Sequence, residues 1–187
     1  MKFKSLIVAT FLLAFTTQAM SDDSLAECKE TLKKFKQLGN VMELANEAYG
    51  LAVLPTIGKG GVGIGGAAGS GCVFAGEKHT GSVKMAQVTV GWQLGGQAFS
   101  QLILLQNADT YNEFTRGEFE FGAGASAVAL TYGAQAEAGT KGSSATAGDT
   151  KGKGAWKRGM AVYTLAKGGL MYEATIGGQK YKFEPLN

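Results

Sequence analysis

The chain has 187 residues, of which 45% are hydrophobic and 18% charged, and its formal net charge is +3. This length suits one ordinary domain with a core of its own. Lys2 and Lys4 belong to a leader that we expect to be removed, so the remaining chain is nearly neutral. Such a balance names no partner by itself and argues against nucleic acid.

Residues 1–19 are predicted to be a secretory signal peptide. The two lysines precede an apolar stretch from Leu6 to Phe15, which is too short to span a membrane. Thr17-Gln18-Ala19 then offers the small residues that a signal peptidase reads. We therefore expect export to the periplasm or secretion, with the mature chain beginning at Met20.

Cys28 lies close behind this leader, where bacterial lipoproteins carry a lipid-modified cysteine. Glu27 and the acidic pair Asp22-Asp23 stand where such a signal needs a small residue and an apolar run. The sequence therefore predicts that the protein is not a lipoprotein.

Cys28 and Cys72 are the two cysteines of the chain. In an oxidising compartment they can form a disulfide, which would stabilise the fold by about 3–4 kcal/mol on the chain-entropy model. The alternative is a pair of buried thiols that act as small hydrophobic side chains. Both interpretations stay open, because a cysteine count contains no geometry.

The first elements are predicted to be helices. Apolar residues recur at helical spacing from Asp22 to about Leu38, and Gly39-Asn40 is expected to end this helix. A second short helix is predicted from Val41 to about Tyr49.

After Tyr49 the pattern alternates, as in strands. Leu51–Ile57 is the first predicted strand, and Pro55 inside it indicates an edge or a bulge. Gly177-Gly178 is predicted to be a hairpin turn. The remaining predicted elements are strands at Ser82–Leu94, Gln97–Gln106, Phe119–Ala138, Arg158–Leu165, Leu170–Ile176 and Gln179–Phe183, and a short helix at Ala108–Arg116.

These elements predict an α+β fold, mainly antiparallel β. Two N-terminal helices would be followed by a roughly eight-stranded sandwich or barrel-like sheet. The domain organisation expected is a single domain over residues 20–187, with a helical part at 20–49 and a β-rich part at 50–187.

The glycine-rich block Gly58–Gly71 resembles phosphate-binding loops only superficially. A Walker loop needs Ser or Thr after its lysine, whereas Lys59 is followed by Gly60-Gly61. A dinucleotide fingerprint must open a helix, and here the sequence continues as strand. We therefore expect no nucleotide, and we expect glycine in this block to let neighbouring backbones approach closely.

Catalytic and metal chemistry find little support in the sequence. His79 is the only histidine and lies in a predicted turn, and no spacing of Cys, His and Asp resembles a metal site. We expect no enzyme activity, no cofactor and no metal.

A cluster of cations in a predicted loop is the best candidate for a binding site. It contains Lys151, Lys153, Trp156, Lys157 and Arg158, and Lys59 adds a separate cation beside the glycine block. Cations beside anionic lipid headgroups contribute about 1 kcal/mol each, and tryptophan is favoured at headgroup depth. The alternative is a solubilising loop whose tryptophan packs back onto the sheet.

Four separated blocks of the sequence together resemble the SYLF domain family, and the resemblance covers about Ala45 to Gly178. The blocks are A-Y-G-L-A-V-L-P-T-I-G-K-G-G-V-G-I-G-G, V-G-W-Q-L-G-G-Q, E-F-G-A-G-A-S-A-V-A and A-K-G-G-L-M-Y-E-A-T-I-G-G. The resemblance implies a non-enzymatic domain that binds anionic lipids, phosphoinositides in eukaryotic members, with actin binding in some. Gly124 departs from the family pattern, which often has an aspartate there.

The sequence thus favours binding of anionic phospholipid headgroups, phosphoinositide-like in chemistry, at a membrane surface in the cell envelope. A structural or protein-interaction module of the envelope, without lipid specificity, is the alternative.

Overall fold

The structure, a computed structural model, describes residues 22–121, 129–132, 156 and 158–186. Three helices and five strands follow one another in this part of the chain. They are α1 (Asp22–Lys36), α2 (Gly39–Glu47), β1 (Gly50–Ala75), β2 (Lys78–Leu105), α3 (Ala108–Thr115), β3 (Glu118–Phe121), β4 (Ala129–Tyr132) and β5 (Met160–Pro185).

Helices α1 and α2 confirm the two predicted N-terminal helices. Cys28 and Phe35 of α1 are fully buried, as the helical stripe predicts. The expected break at Gly39-Asn40 is wrong, because these residues open α2 and the break falls earlier. Leu38 is extended there (φ −85°, ψ 109°) and packs against the core, and this contact fixes the position of the break.

Strands β1, β2 and β5 form the body of one sheet and pair antiparallel along nearly their whole length. The strand order is β1-β2-β5-β3, with β4 off this path and parallel to β5. Within the described ranges no pairing joins β1 to β3, so the sheet is open there. The α+β class and the mainly antiparallel sheet are confirmed, whereas the described residues show five strands and no barrel-like closure.

The strands are longer than predicted because they run through glycine pairs. Gly177 and Gly178 pair with Thr89 and Val88 in the middle of β5, so the predicted hairpin turn between them is wrong. A glycine pair is a local turn signal, and it contains no information about the neighbouring strand that supplies hydrogen-bond partners across it.

Strand β1 folds back on itself, and its ends meet where the Gly76 amide donates to the Tyr49 carbonyl at 3.0 Å. A Cβ on Gly69 would lie 2.6 Å from the Thr56 carbonyl oxygen, and a Cβ on Gly71 would collide with the Val53 carbonyl. Glycine is therefore required in the second half of β1, as the sequence predicted, because the first half of the same strand lies against it.

Two of the three register shifts between β1 and β2 accompany this fold-back. Pro55 was predicted to mark an edge or a bulge, and both are present, because β1 is the first strand of the sheet and its register with β2 shifts between Leu54 and Ile57. The register shifts again between Val62 and Ile64, where Gly63 has a positive φ of 71°. We call residues 58–66 and 88–98 the bend, and residues 50–57 and 99–105, which pair at the start of the hairpin, the stem.

The core consists of two clusters that lie on opposite faces of the stem. The outer cluster packs under α1 and α2, and the inner cluster lies within the folded sheet beside α3. Consecutive residues of β2 alternate between them: Leu102 and Leu104 join the outer cluster, and Ile103 and Leu105 the inner one. All four are fully buried, so this part of the strand predicted at Gln97–Gln106 is covered on both faces.

Cys28 and Cys72 are joined by a disulfide in the structure, with their Cα atoms 6.2 Å apart. The bond links α1 to the returning half of β1, and both cysteines belong to the outer cluster. It therefore fastens the helical layer to the sheet.

Candidate functional site

The bend exposes a group of large aliphatic side chains. Val62 is 76% exposed, Ile64 68% and Leu94 59%. Val88 and Val90 of β2 are also exposed. The register pairs Val62 with Leu94 and Ile64 with Val90, so the members of each pair lie side by side, one pair on each side of the register shift at Gly63. We call the five residues the apolar face.

Next to the bend, the inner side of β2 and β5 contains a small group of buried polar side chains beside the inner cluster. Gln101 and Tyr181 are each 1% exposed, and the Tyr181 hydroxyl lies 2.7 Å from Oε1 of both Gln101 and Gln179. Nε2 of Gln179 donates in turn to Oε1 of Gln87 at 3.3 Å. Burial raises the pKa of Tyr181, so the phenol stays protonated and remains a donor. The inner side of the sheet near the bend is thus held by a network of neutral hydrogen bonds.

Charged side chains are scarce along the β1–β2 hairpin. Over residues 50–105 they are Lys59, Glu77, Lys78 and Lys84, so a single carboxylate is present. The two segments of the bend together contain one charged residue, Lys59. This is the segment that carries the apolar face.

The structure separates the predicted cationic residues. Lys59 is half-buried and pairs with Gln97 at the bend. Arg158 is exposed in a turn with a positive φ of 51°, next to Met160, which pairs with Leu105. Eight positions of β2 separate Gln97 from Leu105, roughly 25–30 Å of extended strand. Lys59 and Arg158 therefore do not form one compact patch.

Trp156 is partly buried and packs against the outer core cluster. Part of the Trp156 ring, which the sequence suggested as a lipid anchor, is therefore already buried against the protein itself. Lys151, Lys153 and Lys157 lie outside the described residues.

His79, which the sequence analysis considered for catalysis, and Glu118 both have partners within the sheet. His79 lies 3.0 Å from the Gly81 carbonyl and stacks on Phe74, with ring centroids 5.3 Å apart. Glu118 pairs with Lys180 at 2.6 Å on an exposed strand face, and this hydrogen bond lowers the pKa of Glu118. Among the residues that the structure describes, no group of three or more His, Cys, Asp or Glu side chains could hold a metal ion. Nor is any helix there long and apolar enough to cross a membrane.

Sequence reasoning missed the apolar face. A hydrophobicity pattern normally assigns valines to the core and glutamines to water, and here the assignment is reversed. The available signal was a series of glutamines at odd-numbered positions, Gln87, Gln93, Gln97 and Gln101, in a segment of β2 without charged residues.

Comparison with known families assigns the chain to a protein class. Residues 86–184, more than half of the chain, match the family model described as "Ysc84: Las17-binding protein actin regulator". The chain therefore belongs to the Ysc84 family, also called the SYLF family, which confirms the resemblance seen in the sequence. The glycine-rich block lies before the matched residues. Neither the curated proteins nor the solved structures gave a match.

Proposed function

We propose that this protein is a non-enzymatic domain that binds anionic phospholipid surfaces in the cell envelope after export. The observation that carries the proposal is the composition of the long β1–β2 hairpin, which presents aliphatic side chains and lysines with a single carboxylate between residues 50 and 105. Aliphatic surface beside cations is the combination that favours anionic membranes, whereas carboxylates would be repelled by them.

Two groups of cations would contact headgroups in this proposal. Lys59 lies at the entry to the bend, and Arg158 follows directly on Lys151, Lys153 and Lys157 in sequence. The distance between Lys59 and Arg158 implies two separate contact points on a surface rather than a pocket for one headgroup. Trp156, packed on the outer cluster, would position the second group rather than insert deeply.

Vesicle flotation tests the proposal. Protein purified after export is mixed with vesicles of phosphatidylcholine alone or of phosphatidylglycerol and phosphatidylcholine in equal parts. We expect much tighter binding to the anionic vesicles and weakening as salt is raised, because salt screens exposed charges. Equal binding to both vesicle types, or no effect of salt, would contradict the proposal.

A charge-matched pair of variants locates the contact. Replacing Lys151, Lys153, Lys157 and Arg158 together by glutamine should weaken anionic binding by at least about tenfold, at roughly 1 kcal/mol for each cation. Replacing the four lysines of α1, Lys29, Lys33, Lys34 and Lys36, removes the same charge and should change binding by less than about twofold. A larger loss in the α1 variant would move the contact to the helix.

The family description favours a second candidate, a protein partner, because it names a protein-binding member. In that case an envelope extract should yield a specific complex that survives detergent. Binding of this kind in the absence of vesicle binding would replace the lipid proposal.

A further inference from the structure

We propose that the bend enters the acyl-chain layer of the membrane, with the apolar face in contact with lipid hydrocarbon. The inference rests on the proposed function and specifies its mode of attachment. Headgroup binding requires only cations, whereas this mode requires Val62, Ile64, Val88, Val90 and Leu94.

The alternation of exposure in β2 supplies the main argument. Val88 is 67% exposed, Thr89 is fully buried and Val90 is 62% exposed. A sheet that faces water places such valines inside and the threonine outside. Apolar side chains outside and polar side chains inside are the arrangement of strands that face lipid.

The polar interior allows the bend to keep its fold in a non-aqueous environment. Gln101, Gln179 and Tyr181 satisfy one another by hydrogen bonds, and Gln87 extends the network toward the bend. Backbone groups of β2 at residues 88–90 and 94–98 pair on both sides, with β1 and with β5, and residues 91–93 pair with β5. Lipid offers no replacement for a missing hydrogen bond, so this internal pairing is a precondition for insertion.

The chemistry of the face favours hydrocarbon over a protein partner. Protein interfaces have a polar rim around their apolar centre. The apolar face is made of Val, Ile and Leu side chains, and Lys59 is the one charged residue of the bend. Aliphatic surface without charge gains by transfer into hydrocarbon in proportion to its area. A second copy of the chain is the remaining occupant, and the test below includes it.

A fluorescent probe on the face measures insertion directly. Val88→Cys is labelled with an environment-sensitive dye, and Glu77→Cys, in the turn between β1 and β2, is the control site. The native cysteines do not interfere, because they form a disulfide and are fully buried. On anionic vesicles we expect a blue shift and quenching by chain-brominated lipid for the probe at position 88, and neither for the probe at position 77.

A triple variant measures the contribution of the face to affinity. Val62→Thr, Val88→Thr and Val90→Thr together keep shape and strand preference but remove aliphatic surface. We expect at least about tenfold weaker vesicle binding, and we expect the binding that persists at high salt to be lost. Met42→Gln and Leu186→Gln change exposed apolar residues outside the face, 51% and 52% exposed, and should leave binding unchanged.

The outcomes separate this inference from the proposed function. Salt-sensitive binding to anionic vesicles without quenching at position 88 would overturn insertion and leave headgroup binding in place. No vesicle binding at all would overturn both. A concentration-dependent dimer in water that the triple variant abolishes, with no quenching on vesicles, would assign the face to a second copy and overturn the inference.

Discussion

The stem and the bend belong to the same two strands, yet their surroundings are opposite. In the stem, Leu102 and Ile103 face two different core clusters and both are fully buried. In the bend, Val62 and Leu94 pair with each other and both are mostly exposed. The helices α1 and α2 and the inner cluster cover the stem, and among the described residues no equivalent layer covers the bend.

This difference shows that stability and binding occupy separate parts of one hairpin. Apolar residues of the stem stabilise the fold because they are removed from water on folding. Those of the bend contribute little to folding, since they stay in water in the free protein. Substitutions in the two regions should therefore affect different measurements.

The largest contrast is expected between two leucines of β2. Leu104→Ala should lower the free energy of unfolding by about 2–5 kcal/mol, because it leaves a cavity in the outer cluster. Leu94→Ala, in the bend, should change it by less than about 0.5 kcal/mol. Urea unfolding of both variants measures this, and similar losses would mean that the bend is buried in the free protein.

Removal of the disulfide should have the next largest effect. Cys28→Ala with Cys72→Ala should reduce the free energy of unfolding by about 2–4 kcal/mol, because the bond closes a long loop between α1 and β1. Vesicle binding by the folded fraction should be unchanged, since the bond lies in the layer that covers the stem. Vesicle flotation of the wild-type protein before and after chemical reduction measures this. A loss of binding without unfolding would mean that the disulfide beside the stem affects binding at the bend.

Tyr181→Phe tests the polar interior and should destabilise the protein by about 1–3 kcal/mol, because buried glutamine oxygens lose their donor. Burial raises the pKa of Tyr181 in the folded state above its ordinary value of 10.0. Its contribution is therefore complete below pH 10 and declines above it, as the unfolded chain ionises. Urea unfolding as a function of pH should show this decline in the wild type and a smaller one in the variant; parallel curves would refute it.

The smallest effect on the free energy of unfolding is expected for an exposed ion pair between β2 and β5. Lys84 lies 3.0 and 2.9 Å from the two carboxylate oxygens of Glu184, and this hydrogen bond lowers the pKa of Glu184. Because both side chains are more than a third exposed, Lys84→Met should cost less than about 1 kcal/mol.

The pH dependence of this pair has the opposite sign to that of Tyr181. The contribution of Glu184 is present above its unfolded pKa and is lost as pH falls through the lowered folded value. Thermal unfolding at neutral and acid pH, with Glu184→Gln as the control, detects it. A loss larger than that of Leu104→Ala would contradict the account of the stem.

The sequence predicted the features that depend on local pattern. The double burial of Leu102–Leu105, the bulge at Pro55 and the helical stripe of Cys28 and Phe35 all follow from periodicity and backbone chemistry. The path of β5 through Gly177-Gly178 does not, because pairing with β2 determines it.

The candidate site was less predictable than the fold. A strand at Ser82–Leu94, as predicted, places Val88 and Val90 on one side and Gln87 and Thr89 on the other, and the structure shows this alternation. Which side faces inward depends on the fold-back of β1, a long-range contact that periodicity does not encode. Family motifs, in contrast, were recognised because they are local strings of residues.

Amide hydrogen exchange of the free and vesicle-bound protein tests the central claim most directly. We expect added protection on anionic vesicles in residues 58–66 and 88–98, the bend, with no change in residues 50–57 and 99–105, the stem, whose backbone is already buried and paired. Protection confined to α1 or to the stem, with an unchanged bend, would contradict the assignment of binding to the bend.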